Sequence, residues 1–377
     1  MTAALVLAGA MATAAAALPA TGVPAPVSRV ALLPFDDFSG ASEARAAVAG
    51  LITAGLWKKG YQVIQGEPVE QALEARRIRY LESLTADSRR RLLADLGVSA
   101  LVTGALYGWV PEDHPSLSLS VRVVGPDGAT LFWNLVGLSA DETEGMLGLG
   151  QLSDMDALAR EAVTRLLRGL PAPGAAPKSV SVEGKPWRLP APRTFRSEQL
   201  EKGRLYRVVP LPVDNQTSVR EASRDVSDVL HRRLAQSGLF DVVEPAELRA
   251  AILAEKVRGF ADMNPDNLRK LGRRLGTPLF LRSTLTAFRP GGLHGANQPP
   301  QVALELQLVD IDSNRLLWTS QHARRGSDYM SLFERGAITD VVALADRTAA
   351  EMVRALLDTR PTAPKAAASR PPRGPVP

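Results

Sequence analysis

Arg29-Val30-Ala31-Leu32-Leu33-Pro34-Phe35-Asp36 and Arg207-Val208-Val209-Pro210-Leu211-Pro212-Val213-Asp214 are one pattern written twice, 207 − 29 = 178 positions apart. Each is an apolar run closed by Pro-x-Asp, which reads as a buried strand running into a turn. The same offset carries Val48, Leu51, Ile52 and Leu56 onto Val226, Val229, Leu230 and Leu234. Those positions share one face of a helix, so each copy continues from its strand into an amphipathic helix. Gly60 and Gly238 then stand where helices commonly end.

Further along, one residue is gained and the offset becomes 179. It maps Thr85 onto Asn264, both N-cap types, with Pro265 at the first helical position of the second copy. It also maps Leu96-Gly97 onto Leu275-Gly276, and the short apolar run 100–106 onto 279–285, which predicts an interior strand. The connector then lengthens, and two alternating strands follow: Leu117, Leu119, Val121, Val123 and Val302, Leu304, Leu306, Leu308. Asp127-Gly128 and Asp312-Ser313-Asn314 predict hairpin turns, after which Leu131-Phe132-Trp133 aligns with Leu316-Leu317-Trp318. A last helix pairs Leu158, Leu166, Leu167 and Leu170 with Leu344, Met352, Val353 and Leu356 at an offset of 186. Every change of offset falls in a turn or loop, the mark of a duplication.

The expected fold class is therefore α/β: two tandem copies of a two- or three-layer domain, each with a mixed, partly parallel sheet flanked by helices. The expected division is a signal peptide and leader at 1–27, a first domain at 28–171, a Pro- and Ala-rich linker at 172–204, a second domain at 205–358, and a disordered basic tail at 359–377. The leader is apolar from Ala3 to Leu18 and reaches a small-residue site at Leu18-Pro19-Ala20, although no Lys or Arg opens it. Export to the periplasm is the expectation, and no later segment reaches spanning length.

With 377 residues, 45% of them apolar, there is material for two cores. The absence of cysteine removes disulfides, thiolate metal sites, thiol catalysis and a lipid-bearing cysteine. A net charge of +5 suggests nucleic acid until it is divided. Basic residues outnumber acidic ones 7 to 3 in 172–204 and 4 to 0 in 359–377, whereas 28–171 has 14 against 18. The excess sits in the linker and the tail, so no nucleic-acid face is expected.

Chemistry is sought where α/β sheets place it, just past the first strand. Asp36-Asp37 stands there, but in the second copy the pair becomes Asp214-Asn215, and a chain-turning role outweighs a metal or phosphate role. His114, His231, His294 and His322 have no ligand spacing, and the nucleophile elbow, phosphate loop and dinucleotide fingerprint are missing. No catalytic, cofactor-binding or metal-binding residue is expected, nor a deep pocket of converging acids. The candidate partner-contact residues are Asp36, Asp37, Asp214, Asn215 and Thr217, with the loop Arg289 to Pro300 beside them. Trp133 and Trp318 are expected as core or interface anchors.

These stretches resemble an envelope-protein superfamily that includes CsgG, the N-terminal domain of TolB, and LpoB. The opening Val30-Ala31-Leu32-Leu33-Pro34-Phe35-Asp36-Asp37, with Gly60-Tyr61-Gln62-Val63-Ile64 after the helix, looks like TolB N-terminal and CsgG domains. The second copy is closer to LpoB: Val213-Asp214-Asn215-Gln216-Thr217, then Asp228-Val229-Leu230-His231-Arg232-Arg233-Leu234, Phe240-Asp241-Val242-Val243 and a closing hairpin with Leu316-Leu317-Trp318. The likeness spans nearly all of both copies, through structural motifs that report fold better than task. It departs in lacking the lipid-bearing cysteine, in being tandem, and in having no propeller repeats.

The resemblance implies a non-enzymatic periplasmic binding protein that activates a bifunctional penicillin-binding protein. The alternative is a CsgG-like or flagellar-type assembly or secretion scaffold near the outer membrane, for which duplication would seed self-association.

Overall fold

The computed structural model describes residues 28–358, except positions 80, 82–83, 112–113, 141–151, 153, 176–188, 202, 259–261, 292–297 and 331–335. The expected leader, the tail, residues 176–188 and 202 of the linker and the centre of the loop Arg289 to Pro300 lie outside the described residues.

The first unit runs β1 (Arg29–Leu32), β2 (Asp36–Asp37), α1 (Ser42–Lys58), β3 (Gln62–Ile64), α2 (Glu67–Ala75), α3 (Ala86–Leu96), β4 (Ala100–Val110), β5 (Ser116–Val124), β6 (Thr130–Ser139) and α4 (Met155–Leu166). The second runs β7 (Arg193–Arg196), β8 (Tyr206–Pro210), β9 (Asp214–Asn215), α5 (Ala222–Gln236), β10 (Phe240–Val242), α6 (Pro245–Ala254), α7 (Pro265–Leu275), β11 (Leu279–Arg289), β12 (Gln301–Asp310), β13 (Arg315–Arg325) and α8 (Val341–Asp358). The sheets are separate, with strand orders β3-β1-β4-β5-β6 and β10-β8-β11-β12-β13-β7. In each, the first long strand lies parallel between its neighbours, and the last three of the shared strands are antiparallel.

Local chemistry repeats with the topology. Thr85 Oγ1 accepts from Ser88 N–H at the start of α3, and Asn264 Oδ1 accepts from Asn267 N–H at the start of α7. Arg77 and Lys256, 179 positions apart after α2 and α6, both take positive φ, 54° and 56°. β-bulges recur too, at Leu106/Gly108 and Leu285/Ala287, and again at Val123/Val124 and Leu308/Val309.

Two expectations change. The segment read as linker supplies β7, which pairs antiparallel with the edge of β13, while Leu200 enters the second core. The folded second unit thus begins near residue 193 rather than 205, because an open edge strand gains hydrogen bonds by taking a partner. Trp133 and Trp318 are also not equivalent. Trp133 lies opposite Arg122, whereas Trp318 lies opposite Leu308 and corresponds to Phe132, which lies opposite Val123. A slip of one residue sends the two rings to opposite faces: Trp318 is fully buried in its own unit's core, and Trp133 looks toward the other unit.

Each sheet has helices on both faces. In the first unit α1 and α4 cover Val102, Leu119, Val121 and Phe132, while α2 and α3 cover Ala31, Leu33 and Leu101. In the second, α5 and α8 cover Leu281, Leu304, Leu306 and Trp318, while α6 and α7 cover Val209 and Phe280. The α5/α8 core also takes in Ala105, Tyr107 and Leu135 from the first sheet. The α5/α8 layer is therefore shared: its inner side packs on its own sheet and its outer side on the other unit's sheet. No helix among the described residues is long and apolar enough to cross a membrane.

Candidate functional site

The face of the first sheet that meets α5 and α8 carries Ala105 and Tyr107 from β4, Ser120 and Arg122 from β5, and Trp133, Leu135 and Gly137 from β6. Strand alternation places them together, opposite the residues that pack on α1 and α4. α5 meets this face with residues of its nominally wet side. The Tyr107 hydroxyl donates to Asp228 at 3.0 Å and lies 3.0 Å from Ser120 Oγ. Arg122 pairs with Glu244 at the start of α6, its Nη1 donating to Oε2 at 2.9 Å, and its guanidinium stacks 4.5 Å from the Trp133 ring. Gln236 Nε2 donates to the Trp133 carbonyl at 2.9 Å. At β6, Gly137 leaves the space that Asp340 occupies, since a Cβ there would stand 2.2 Å from its Oδ1.

The contact loops expected from sequence take two different places. Asp37 Oδ1 accepts from the Ser39 N–H and hydroxyl, and Asn215 Oδ1 accepts from the Thr217 N–H and hydroxyl, so both act as turn formers. Asp36-Asp37 and Asp214-Asn215 are also short strands on β4 and β11. The first loop is drawn into the contact between the units: Phe38 tilts against Tyr107, with the Arg224 guanidinium 4.7 Å from its ring. In the second loop Asp214 and Gln216 stay exposed.

Burial leaves two ionisable groups of α5 unusual. Asp225 is pushed up to about 8 by burial and then by the neighbouring carboxylates of Asp228, Asp340 and Glu221. His231, beside Trp133, is pushed down to about 4 by burial. Asp225 Oδ1 and His231 Nε2 have no hydrogen-bond partner among the described residues. No local signal marks these positions, because the covering surface lies over a hundred residues away. A narrow cleft of about 150 Å³ opens here, lined by Asp36, Arg89, Arg122, Asp228, His231 and Glu244. The ionisable groups that line it carry both signs, with Arg122 paired to Glu244. No group of His, Asp or Glu among the described residues is placed to hold a metal ion.

In the second unit no helix among the described residues covers the corresponding part of the face, beyond α6 and α7. By the register of the strands, Ala105, Tyr107, Ser120, Arg122, Trp133 and Leu135 correspond to Thr284, Thr286, Glu305, Gln307, Thr319 and Gln321. The apolar anchors have become polar, and Thr286 and Gln321 are exposed. At one end of this face the returning segment Leu189 to Arg193 forms a shallow groove of about 580 Å³ with Thr286, Gln321, Ala323 and Asp328. Behind it, Glu351 of α8 accepts from Arg324 at 2.9 Å and from Tyr329 at 2.9 Å, with His322 Nε2 at 2.8 Å. Burial works against its charge, but these hydrogen bonds and Arg324 hold its carboxyl well below the usual range.

The model of the family described as "Peptidoglycan-synthase activator LpoB" matches residues 192–323, from β7 into β13. No curated protein matches. Among solved structures, PelC from Paraburkholderia phytofirmans, a dodecamer, is 15% identical with a TM-score of 0.30, over 45% of this chain and 98% of that one. The LpoB C-terminal domain from Escherichia coli is 14% identical with a TM-score of 0.25, over 32% of this chain and 88% of that one. Lipoprotein GNA1162 from Neisseria meningitidis is 16% identical with a TM-score of 0.26, over 29% of this chain and 79% of that one. The second unit is LpoB-like by its family match.

Proposed function

We propose that the chain is a non-enzymatic periplasmic protein whose second unit docks on a peptidoglycan synthase of the penicillin-binding type and favours its active conformation. The observation that carries this reading is the match of residues 192–323 to the activator family. The division into domains at 28–171 and 193–358 belongs to the same reading. Activation of this kind requires no chemistry from the activator. A tenfold preference for the active conformation suffices, about 1.4 kcal/mol of differential binding.

The docking element we assign is the loop Asp214 to Thr217. Its counterpart in the first unit, around Phe38, already serves as a contact element within the chain, whereas Asp214 and Gln216 face solvent.

The test is glycan polymerisation by a cognate synthase with the purified chain added, together with direct measurement of binding. The expected result is association and a faster rate, with both reduced by Asp214→Lys and Gln216→Arg at an unchanged unfolding midpoint. No association with any synthase of the same cell overturns the proposal.

A further inference from the structure

The contact between the two units is heterologous: the α5/α8 layer of one unit sits on the outer sheet face of the other. Because the units share a strand order, such a contact leaves one unused half at each end of the chain. The unused halves are the outer side of α1 and α4 in the first unit and the open sheet face of the second. We infer that these two faces bind one another between copies of this chain, head to tail.

The residues at corresponding positions fit this. On α5 the contact uses Arg224, Asp225, Asp228 and Arg232; the offset of 178 places Ala46, Ala47, Gly50 and Ala54 there on α1. Four contacts across the internal interface are Tyr107–Asp228, Arg122–Glu244, Phe38–Arg224 and Trp133–His231. Their counterparts between two chains are Thr286–Gly50, Gln307–Gln65 and Gln216–Ala46; the fourth position, Thr53, is already buried in its own unit, where its hydroxyl donates to Gln65 at 2.6 Å. Both members of these three pairs are small or uncharged, so closing the faces strands no charge at those points; Arg282 and Glu305, the cross-strand partners of Gln307 and Thr284, are the charges that the contact must leave at its rim or pair.

α1 also ends in Trp57, 59% exposed; its counterpart on α5, Ala235, stays exposed in the internal contact, so the indole lies at the rim of the contact between chains. On the opposite face Thr284, Thr286, Gln307, Thr319 and Gln321 supply hydroxyl and amide groups rather than apolar bulk. The contact between chains is accordingly weaker than the internal one, which is also favoured by its short covalent connection. The inference does not depend on any synthase, since it concerns the purified chain alone.

The full chain contains no cysteine, so introduced thiols report without background. Gly50→Cys and Thr286→Cys are made as separate variants, mixed, and treated with a short bis-maleimide. The expected result is a covalent dimer in the mixture several-fold above either variant alone, and a ladder of higher species from the double variant. Sedimentation of the unmodified chain is expected to show association that rises with concentration and is lost in Gly50→Arg. Cross-linking of Gly50→Cys only to itself overturns the head-to-tail arrangement in favour of a two-fold contact between α1 helices. A monomer at all concentrations with no mixed product overturns the inference altogether. The internal pair Tyr107→Cys with Asp228→Cys in one chain checks that the reagent spans this contact; Gly50→Arg is checked for an unchanged unfolding midpoint.

Discussion

The first unit joins its two outer helices through small residues, and the second joins them through charge. Between α1 and α4, Gly55 lets the helices approach so closely that an added Cβ would lie 2.4 Å from Leu167 Cδ1. The corresponding position in the second unit is Arg233, which donates from Nε to Asp346 of α8 at 2.7 Å, while the buried Arg232 pairs with the same carboxylate. The same topology is thus held by close packing in one place and by a buried ion cluster in the other. What differs is the surroundings: α5 and α8 are buried on two sides, while α1 and α4 keep one side in water. A doubly buried helix that carries arginines must satisfy them internally.

Breaking this contrast at its strongest point gives the largest expected effect. Asp346→Ala leaves Arg232 buried without its partner and is expected to destabilise the second unit by about 3–5 kcal/mol in urea unfolding. Arg160, its counterpart on α4, is exposed, and Arg160→Ala should change stability by less than about 0.5 kcal/mol. If the two substitutions cost the same, the helix pairs are not held by different means.

A second pair of positions sharpens the comparison. Gly104 on β4 faces Phe35, whose ring carbon would lie 2.2 Å from an added Cβ, with the Ser120 carbonyl at 2.4 Å. In the second unit the corresponding residues are Ser283 and Val213: the larger ring goes with glycine and the smaller side chain with serine. Gly104→Ser is expected to cost about 1–3 kcal/mol by overpacking. Phe35→Val in the same chain should recover part of that loss, as a double-mutant cycle would read.

The interface itself answers to pH. The folded-state pKa of Asp225, about 8, lies above its ordinary value of 3.8. The neutral form is therefore favoured on folding, and this contribution is fully present below about pH 4 and lost progressively as pH rises toward 8. Calorimetry of wild type against Asp225→Asn is expected to show a stability difference that grows in favour of Asn across that window, by at most about 1.4 kcal/mol per pH unit. A difference that stays flat would mean that Asp225 is ionised in place. The smallest effect is the most symmetric: Thr85→Ala and Asn264→Ala should each cost about 1 kcal/mol, because the two units use the same cap.

Much of this molecule was legible before any coordinates. The offsets of 178, 179 and 186 placed the strands, helices and their apolar faces, because alternation along a strand and the three-to-four spacing of a helix are local signals. The strand β7 was not legible: Arg193-Thr194-Phe195-Arg196 lies in a Pro-rich context, and its stability comes from the β13 edge it covers. The pairing of Trp133 with Trp318 failed because the second hairpin turn is one residue longer, with six residues between Val309 and Leu316 against five between Val124 and Thr130, and matching by residue type hides that extra residue. The turn-forming role of Asp37 and Asn215 was readable; the burial of the first loop and the exposure of the second was not.

The amino-acid order alone determined that one layered plan was built twice, since each unit's helices and strands carry their own inward stripe. Only the tertiary structure decided which outer faces are covered. Asp225, Asp228 and His231 look like a wet helix side in any local window, and become interior groups only when a distant sheet closes over them. Coverage depends on how one unit is docked against another, and no short-range pattern encodes that.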